Sequence, residues 1–65
     1  MNIMVNDEAR EVSAPTLAAL VDELGLTGAR IATAVNGDFV PASRRTHLAI
    51  AEGMKIEIVA PMQGG

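Results

Sequence analysis

The sequence predicts a small α+β domain in which one helix packs on a mixed β-sheet. Residues 17–24 carry leucine and valine at the i, i+3, i+4 and i+7 positions of an amphipathic helix. Segments on both sides of it alternate apolar and polar residues, as half-buried strands do. A helix with one apolar stripe and a sheet with one apolar face bury these surfaces by packing together.

The N-terminal segment predicts a β-hairpin. Residues 1–6 alternate, with Met1 on the apolar face, and are typical of a half-buried strand. The Asn-Asp-Glu run at 6–8 supplies turn residues. A second, weaker strand is expected around 10–13, with Val12 toward the core.

The helix has recognisable start and stop signals. Pro15 ends strand pairing because it lacks a backbone N–H, and Thr16 is a good N-cap residue. Gly25 stands where a left-handed residue ends a helix, and Leu26 can pack back on Val21, as in a Schellman motif.

A second hairpin follows the helix. Residues 30–35 are predicted to form a buried strand of small and branched side chains. Asn36-Gly37 is a strong signal for a type I′ turn, whose central residues both need positive φ. The return strand begins at Phe39, which we expect in the core rather than at a contact surface, and ends at Pro41.

The C-terminal third predicts one more strand. Residues 42–51 are expected to be irregular or to contain a short helical turn capped by Ser43. Glu52-Gly53 makes a turn, residues 54–59 alternate as a strand, and Pro61 ends it.

The element order is therefore strand–strand–helix–strand–strand. We expect the first and last strands to lie side by side in the middle of the sheet, which is the β-grasp, or ubiquitin-like, architecture, although local patterns alone do not single it out. We expect residues 1–61 to form this domain and residues 62–65 to form a flexible Gly-Gly tail.

Composition narrows the function classes. The chain has 65 residues, a net charge of −3 and no cysteine, so thiol chemistry by its own side chains is excluded and nucleic-acid binding is disfavoured. Neither a signal peptide nor an apolar run long enough to span a membrane is visible. We expect a cytoplasmic protein that is monomeric when alone.

Side-chain catalysis has little support. His47 is the single histidine and reads as a solvated loop residue rather than a base or a metal ligand. Ser13, Thr16 and Ser43 occupy cap or turn positions, and the carboxylates are scattered without metal-ligand spacing. We interpret Asp22 and Glu23 as part of the solvated face of the helix rather than as an acidic patch for a partner. The predicted domain of residues 1–61 does not resemble an enzyme.

The C-terminal sequence "APMQGG" offers a different reactive group. The four residues beyond Pro61 can reach about 13–14 Å, and Gly64 and Gly65 have no side chain to obstruct a narrow channel. The terminal α-carboxylate is ionised at neutral pH. It must be activated, most commonly as an acyl adenylate formed from ATP, before sulfur or an amine can displace AMP.

Several stretches resemble one family. The runs "AVNGDFVPAS" and "EGMKIEIVAPMQGG", the opening strand "MNIMVND" and the helix "TLAALVDELG" are similar to the small sulfur carriers of thiamine biosynthesis, the ThiS type. The resemblance covers essentially the whole chain. One departure is that Ala42 follows Pro41 where the family often has a basic residue, and the arginines come at Arg44 and Arg45.

The resemblance implies a role for the terminus. In that family an E1-like, ThiF-type enzyme adenylates the C-terminal glycine with ATP and magnesium, and a sulfur donor enzyme converts it to a thiocarboxylate. The sulfur then passes to a ThiG-type thiazole synthase. By position, Gly65 carries the sulfur and Gly64 gives access, while the chain itself binds no cofactor or metal and is a co-substrate.

Partner contacts are expected on the last strand, which leads into the tail. Its outward residues are Lys55, Glu57 and Val59, with Met62 beyond. The alternative for Val59 and Met62 is that they cover the edge of the core. Competing functions are a sulfur carrier for molybdopterin or cysteine synthesis, a ubiquitin-like protein modifier, and a plain interaction module.

Overall fold

A computed structural model describes residues 1–60 of the chain. The predicted tail, the predicted stop at Pro61 and the domain boundary between residues 61 and 62 lie outside this range. The elements in chain order are β1 (Asn2–Val5), β2 (Glu8–Glu11), α1 (Leu17–Glu23), β3 (Ala32–Val35), β4 (Asp38–Val40), a 3₁₀ helix (Ala42–His47) and β5 (Lys55–Val59).

The strands form one mixed sheet in the order β2-β1-β5-β3-β4. The pairs β1–β2 and β3–β4 are antiparallel hairpins. Strands β1 and β5 pair in parallel, with Met4 opposite Lys55 and Val5 opposite Ile56. The prediction that the first and last strands lie side by side in the middle is confirmed. Strand β5 therefore has a neighbour on each side, which holds the strand that leads to the C-terminus.

Helix α1 begins and ends as predicted. The Thr16 hydroxyl accepts a hydrogen bond from the N–H of Ala19 over 3.1 Å, which satisfies one of the free donors of the first turn. Gly25 has a φ of 77°, and the N–H of Leu26 donates to the carbonyl of Val21 over 2.9 Å. This is the Schellman ending.

The core lies between α1 and one face of the sheet. Its apolar members are Ile3, Val5, Val12, Ala14, Leu17, Leu20, Val21, Val35, Val40, Ile50, Ile56 and Ile58. They are all aliphatic.

The first hairpin differs slightly from its prediction. Asn6 and Asp7 have φ values of 51° and 68° and make a two-residue turn, so β2 begins at Glu8 rather than at Arg10. Val12 is buried as expected, whereas Met1, expected on the apolar face, is 37% exposed. The N-terminal ammonium of Met1 donates instead to a backbone carbonyl at the sheet edge.

Two predictions about the second half are wrong. Phe39 was expected in the core but is 69% exposed. The turn at Asn36-Gly37 sets Phe39 opposite Ala34, on the sheet face away from α1, while its neighbour Val40 takes the buried position. The 3₁₀ helix starts directly after Pro41 and has no side-chain cap within the described chain, so Ser43 does not cap it.

Candidate functional site

Strand β5 presents the predicted contact residues on one face. Ile56 and Ile58 are buried against the core, and the alternate residues Lys55, Glu57 and Val59 are exposed on the opposite face. Val59 is 60% exposed, so the alternative that it covers the core edge is wrong. Met62 lies outside the described residues.

A shallow groove crosses the sheet beside Val59. Ala32 lies opposite Val59, and Ala34 lies opposite both Glu57 and Phe39. The small alanine side chains form the floor, and the larger exposed side chains of Phe39 and Val59 form the two walls. We call this surface the sheet groove. Exposed apolar side chains grouped in this way are typical of interaction surfaces rather than of a folded core.

Acidic side chains border the sheet groove. Glu57 lies on its β5 side, and Asp7, from the first turn, lies at its end near Val59. Lys55 is farther along the same face, at the start of β5. A partner with apolar side chains bordered by basic ones would complement this part of the surface.

A second depression lies on the other side of Phe39. Its lining comes from β4 and the following 3₁₀ helix and includes Pro41, Arg44 and His47, with no residue of β5. A third depression, lined by residues of β2, by the segment after α1 and by Ile58 and Ala60, also adjoins the strand leading to the tail. The sheet groove is the better candidate for a surface that works together with the C-terminus, because it adjoins the same strand and carries the strongly exposed apolar side chains of Phe39 and Val59.

Two asparagines hold β5 at its ends. The side-chain oxygen of Asn6 accepts from the N–H of Ile58 over 2.8 Å, and its side-chain nitrogen donates to the carbonyl of Ile58 over 2.9 Å. At the start of the strand, the side-chain oxygen of Asn36 accepts from the N–H of Lys55 over 3.0 Å. Sequence reasoning treated both asparagines only as turn formers and missed these contacts with β5.

The described residues do not assemble a side-chain catalytic site. Within residues 1–60, no three histidine, aspartate or glutamate side chains converge as metal ligands would. His47 is exposed on the 3₁₀ helix rather than in a loop. Thr16 is engaged as a helix cap, and Ser13 and Ser43 are exposed. Gly64 and Gly65, the predicted reactive terminus, lie outside the described range.

In residues 1–60, α1 is far shorter than a helix that could cross a bilayer, and no other segment provides such a helix.

Comparison with known proteins decides the family. The sequence profile of the ThiS family matches residues 3–65. The chain belongs to the ThiS family. The match includes the glycine pair, and it agrees with the resemblance carried by the hairpin, helix and C-terminal motifs.

Two individual proteins are similar to this ThiS-family chain. A thiazole synthase from Paramagnetospirillum magneticum is 39% identical over 66 residues, which cover 100% of this chain and 20% of that protein. The chain therefore spans about a fifth of the length of this relative. The crystal structure of the thiamine biosynthesis protein ThiS from Geobacter metallireducens has a TM-score of 0.85 and 22% identity, with 100% of both chains covered. This similarity shows that the β-grasp fold is shared.

Proposed function

We propose that this ThiS-family chain is a sulfur carrier for thiazole formation in thiamine biosynthesis, and that its reactive group is the α-carboxylate of Gly65. The observation that carries the proposal is the family match, which extends to Gly65 on a β-grasp body. The chain is then a co-substrate of partner enzymes, and the activating partner uses ATP and magnesium.

The chemistry has two steps. A carboxylate oxygen of Gly65 attacks the α-phosphorus of ATP, pyrophosphate leaves, and an acyl adenylate forms. A sulfide-level nucleophile, HS⁻, then attacks the acyl carbon, the bond to AMP breaks, and loss of the proton leaves a thiocarboxylate. Where the donor enzyme holds the sulfur as a persulfide, an acyl disulfide forms first, and a second thiol reduces its S–S bond to release the thiocarboxylate. Neither step needs a catalytic side chain from this chain, and Gly64 leaves room for the nucleotide in the first step and for the attacking sulfur in the second.

The sheet groove supports a docking role for the body. An activating enzyme must hold the carrier in a fixed position to direct the tail into its active site. Phe39 and Val59 are exposed; Val59 lies on the strand that leads to the tail, and Phe39 lies on the other side of the groove, beyond β3. We propose that a ThiF-type enzyme binds here, with Lys55 and Glu57 at the border and Met62 extending the contact.

The thiazole synthase relative supports the choice of acceptor. In that protein, a segment similar to this whole chain makes up 20% of one longer polypeptide. A covalent link keeps two functional units at high effective concentration. We propose that this chain delivers the sulfur of its thiocarboxylate to a ThiG-type thiazole synthase.

The test is an intact-mass measurement. The purified protein is incubated with ATP, magnesium, a ThiF-type enzyme and a sulfur donor enzyme. We expect one terminal oxygen to be replaced by sulfur, and no change in a matched variant that lacks Gly65. The starting mass also checks that Gly65 is the last residue.

Other outcomes separate the competing functions. An unchanged mass with active enzymes would contradict the carrier function. Attachment of the chain to lysines of other proteins would indicate a modifier. Thiocarboxylate that transfers no sulfur to thiazole synthase would indicate a carrier of another pathway.

A further inference from the structure

We propose that Asn6 is a positioning residue that fixes the point where the C-terminal tail leaves the sheet. This inference rests on the proposed function, because it concerns the delivery of the Gly65 carboxylate. Its basis is the pair of hydrogen bonds, 2.8 and 2.9 Å long, between the Asn6 side chain and the backbone of Ile58.

The two hydrogen bonds between Asn6 and Ile58 extend the pairing with β5 beyond the point at which the backbone of β1 turns away. Strand β1 runs parallel to β5 until Val5 lies opposite Ile56, and the N–H of Asn6 donates to the carbonyl of Ile56 over 2.9 Å. The chain then turns away at Asn6 and Asp7, both with positive φ. A side-chain amide carries the same donor and acceptor as a peptide group, so Asn6 takes the place of the next backbone partner for Ile58.

The position of Ile58 makes this contact relevant to the tail. Ile58 is the last buried residue of the described chain, because Val59 and Ala60 are both exposed. Without the Asn6 amide, the N–H and C=O of Ile58 lose their partners on the β1 side. The end of β5 would then be held on one side only, by β3, where Val59 lies opposite Ala32. We expect its last residues to fray more readily, so that the tail would start up to two residues earlier.

A longer tail and a misdirected tail would reduce the rate of activation to different extents. A tail lengthened by two residues lowers the effective concentration of the carboxylate by less than about twofold. Loss of orientation has a larger effect, since a misplacement of about 1 Å can reduce a rate by about two orders of magnitude. We therefore expect a lower kcat for activation. Asn6 also lines the sheet groove, so a change in KM reports on docking, and the change in kcat reports on positioning.

The chain offers a matched control at the other end of β5. Asn36 also has a positive φ, 50° against 51° for Asn6, and its side chain also accepts from a β5 backbone N–H, that of Lys55. Glycine tolerates this backbone conformation. Asn6→Gly therefore removes two side-chain hydrogen bonds to β5 and Asn36→Gly removes one, and only the former acts next to the tail.

The experiment combines amide hydrogen exchange by NMR with activation kinetics. In Asn6→Gly we expect the Ile58 amide to exchange about tenfold faster and kcat with a ThiF-type enzyme to fall about fivefold or more. Asn36→Gly should leave both near wild-type values. Asn6→Asp, which keeps the acceptor for the Ile58 N–H but loses the donor, should be intermediate in both measurements.

The outcomes are distinguishable. Equal kcat values for Asn6→Gly and Asn36→Gly, or an Ile58 amide that stays protected in Asn6→Gly, would overturn the positioning role. If Asn6→Gly does not fold, as urea unfolding would show, Asn6→Asp decides by the same two measurements. If the wild-type protein is not adenylated by an active enzyme, the proposed function fails, and the positioning role in that reaction fails with it.

Discussion

The guanidinium of Arg45 donates a hydrogen bond from Nε to the hydroxyl of Thr33 over 3.1 Å, and Thr33 is only 1% exposed. The same guanidinium donates to the carbonyl of Ile31 over 2.8 Å, and the Thr33 hydroxyl donates to the carbonyl of Val40 over 2.7 Å. These bonds tie the 3₁₀ helix to β3 and β4. They stabilise the strand whose other face forms the floor of the sheet groove.

We predict that Thr33→Val destabilises the fold. Valine has a similar shape but no hydroxyl, so the Val40 carbonyl loses its donor and Arg45 loses one acceptor. A buried group left without its partner costs about 1–3 kcal/mol. Urea unfolding followed by circular dichroism should show a lower midpoint with an unchanged slope.

Thr27→Val is the matched control for this prediction. The Thr27 hydroxyl also donates a hydrogen bond, to Asp22, but the pair is exposed. Water can replace that bond, so we expect a change within about 0.5 kcal/mol. Equal midpoints for Thr33→Val and the wild-type protein would show that the Arg45 contact does not stabilise the fold.

Thr33 also shows why sequence reasoning misplaced Phe39. The two-residue turn at Asn36-Gly37 was predicted correctly and fixes Phe39 on the same face as Ala34. The buried face carries Thr33 and Val35 on β3 and Val40 on β4, and a threonine at an inward position weakens the apolar pattern that would mark this face in the sequence. The inward position of Thr33 depends on Arg45, which is 12 residues away. A partner at that separation cannot be inferred from local periodicity.

The correctly predicted features share a local origin. Thr16, Gly25 and Asn36 determine caps and turns through bonds or φ values within a few residues. The order of the strands followed from the single amphipathic helix and the family resemblance. The contact between Asn6 and Ile58 joins residues 52 positions apart, so the sequence showed only the turn at Asn6.

We predict that Phe39→Ser weakens binding to a ThiF-type enzyme without destabilising the fold. Phe39 is 69% exposed, so its removal should change the free energy of unfolding by no more than about 0.5 kcal/mol. An aromatic wall of a docking groove is typical of residues that dominate binding energy, and we expect affinity to fall about tenfold or more. Calorimetric titration with the enzyme measures it.

Glu23→Ser provides the control for the Phe39 experiment. Glu23 is also exposed, but it lies at the end of α1, on the opposite side of the sheet. Its replacement should leave affinity unchanged. Wild-type affinity in Phe39→Ser would exclude Phe39 from the interface and leave Val59 as the candidate.

We predict that Gly25→Ala destabilises the protein through backbone strain alone. Gly25 has a φ of 77°, and a Cβ added there would meet no heavy atom within 4 Å. The left-handed conformation costs a residue with a Cβ about 1–2 kcal/mol. Gly25→Asn should cost less, because asparagine tolerates this conformation. Equal urea midpoints for the alanine variant and the wild-type protein would contradict the strain argument.

We predict that one alanine added after Gly65 abolishes conversion to the thiocarboxylate and leaves the fold of residues 1–60 unchanged. The addition moves the carboxylate about 3.3–3.6 Å farther from the body and places a methyl group beside it. An added glycine tests the extra length without the methyl group, and Gly65→Ala tests the methyl group without the extra length. The amide NMR spectrum checks the fold, and intact mass after incubation with ATP and the partner enzymes checks the chemistry. Conversion of the alanine-extended chain at the wild-type rate would show that the partner enzyme accepts a carboxylate one residue farther along the chain. That result would remove the reason for assigning the reaction to Gly65.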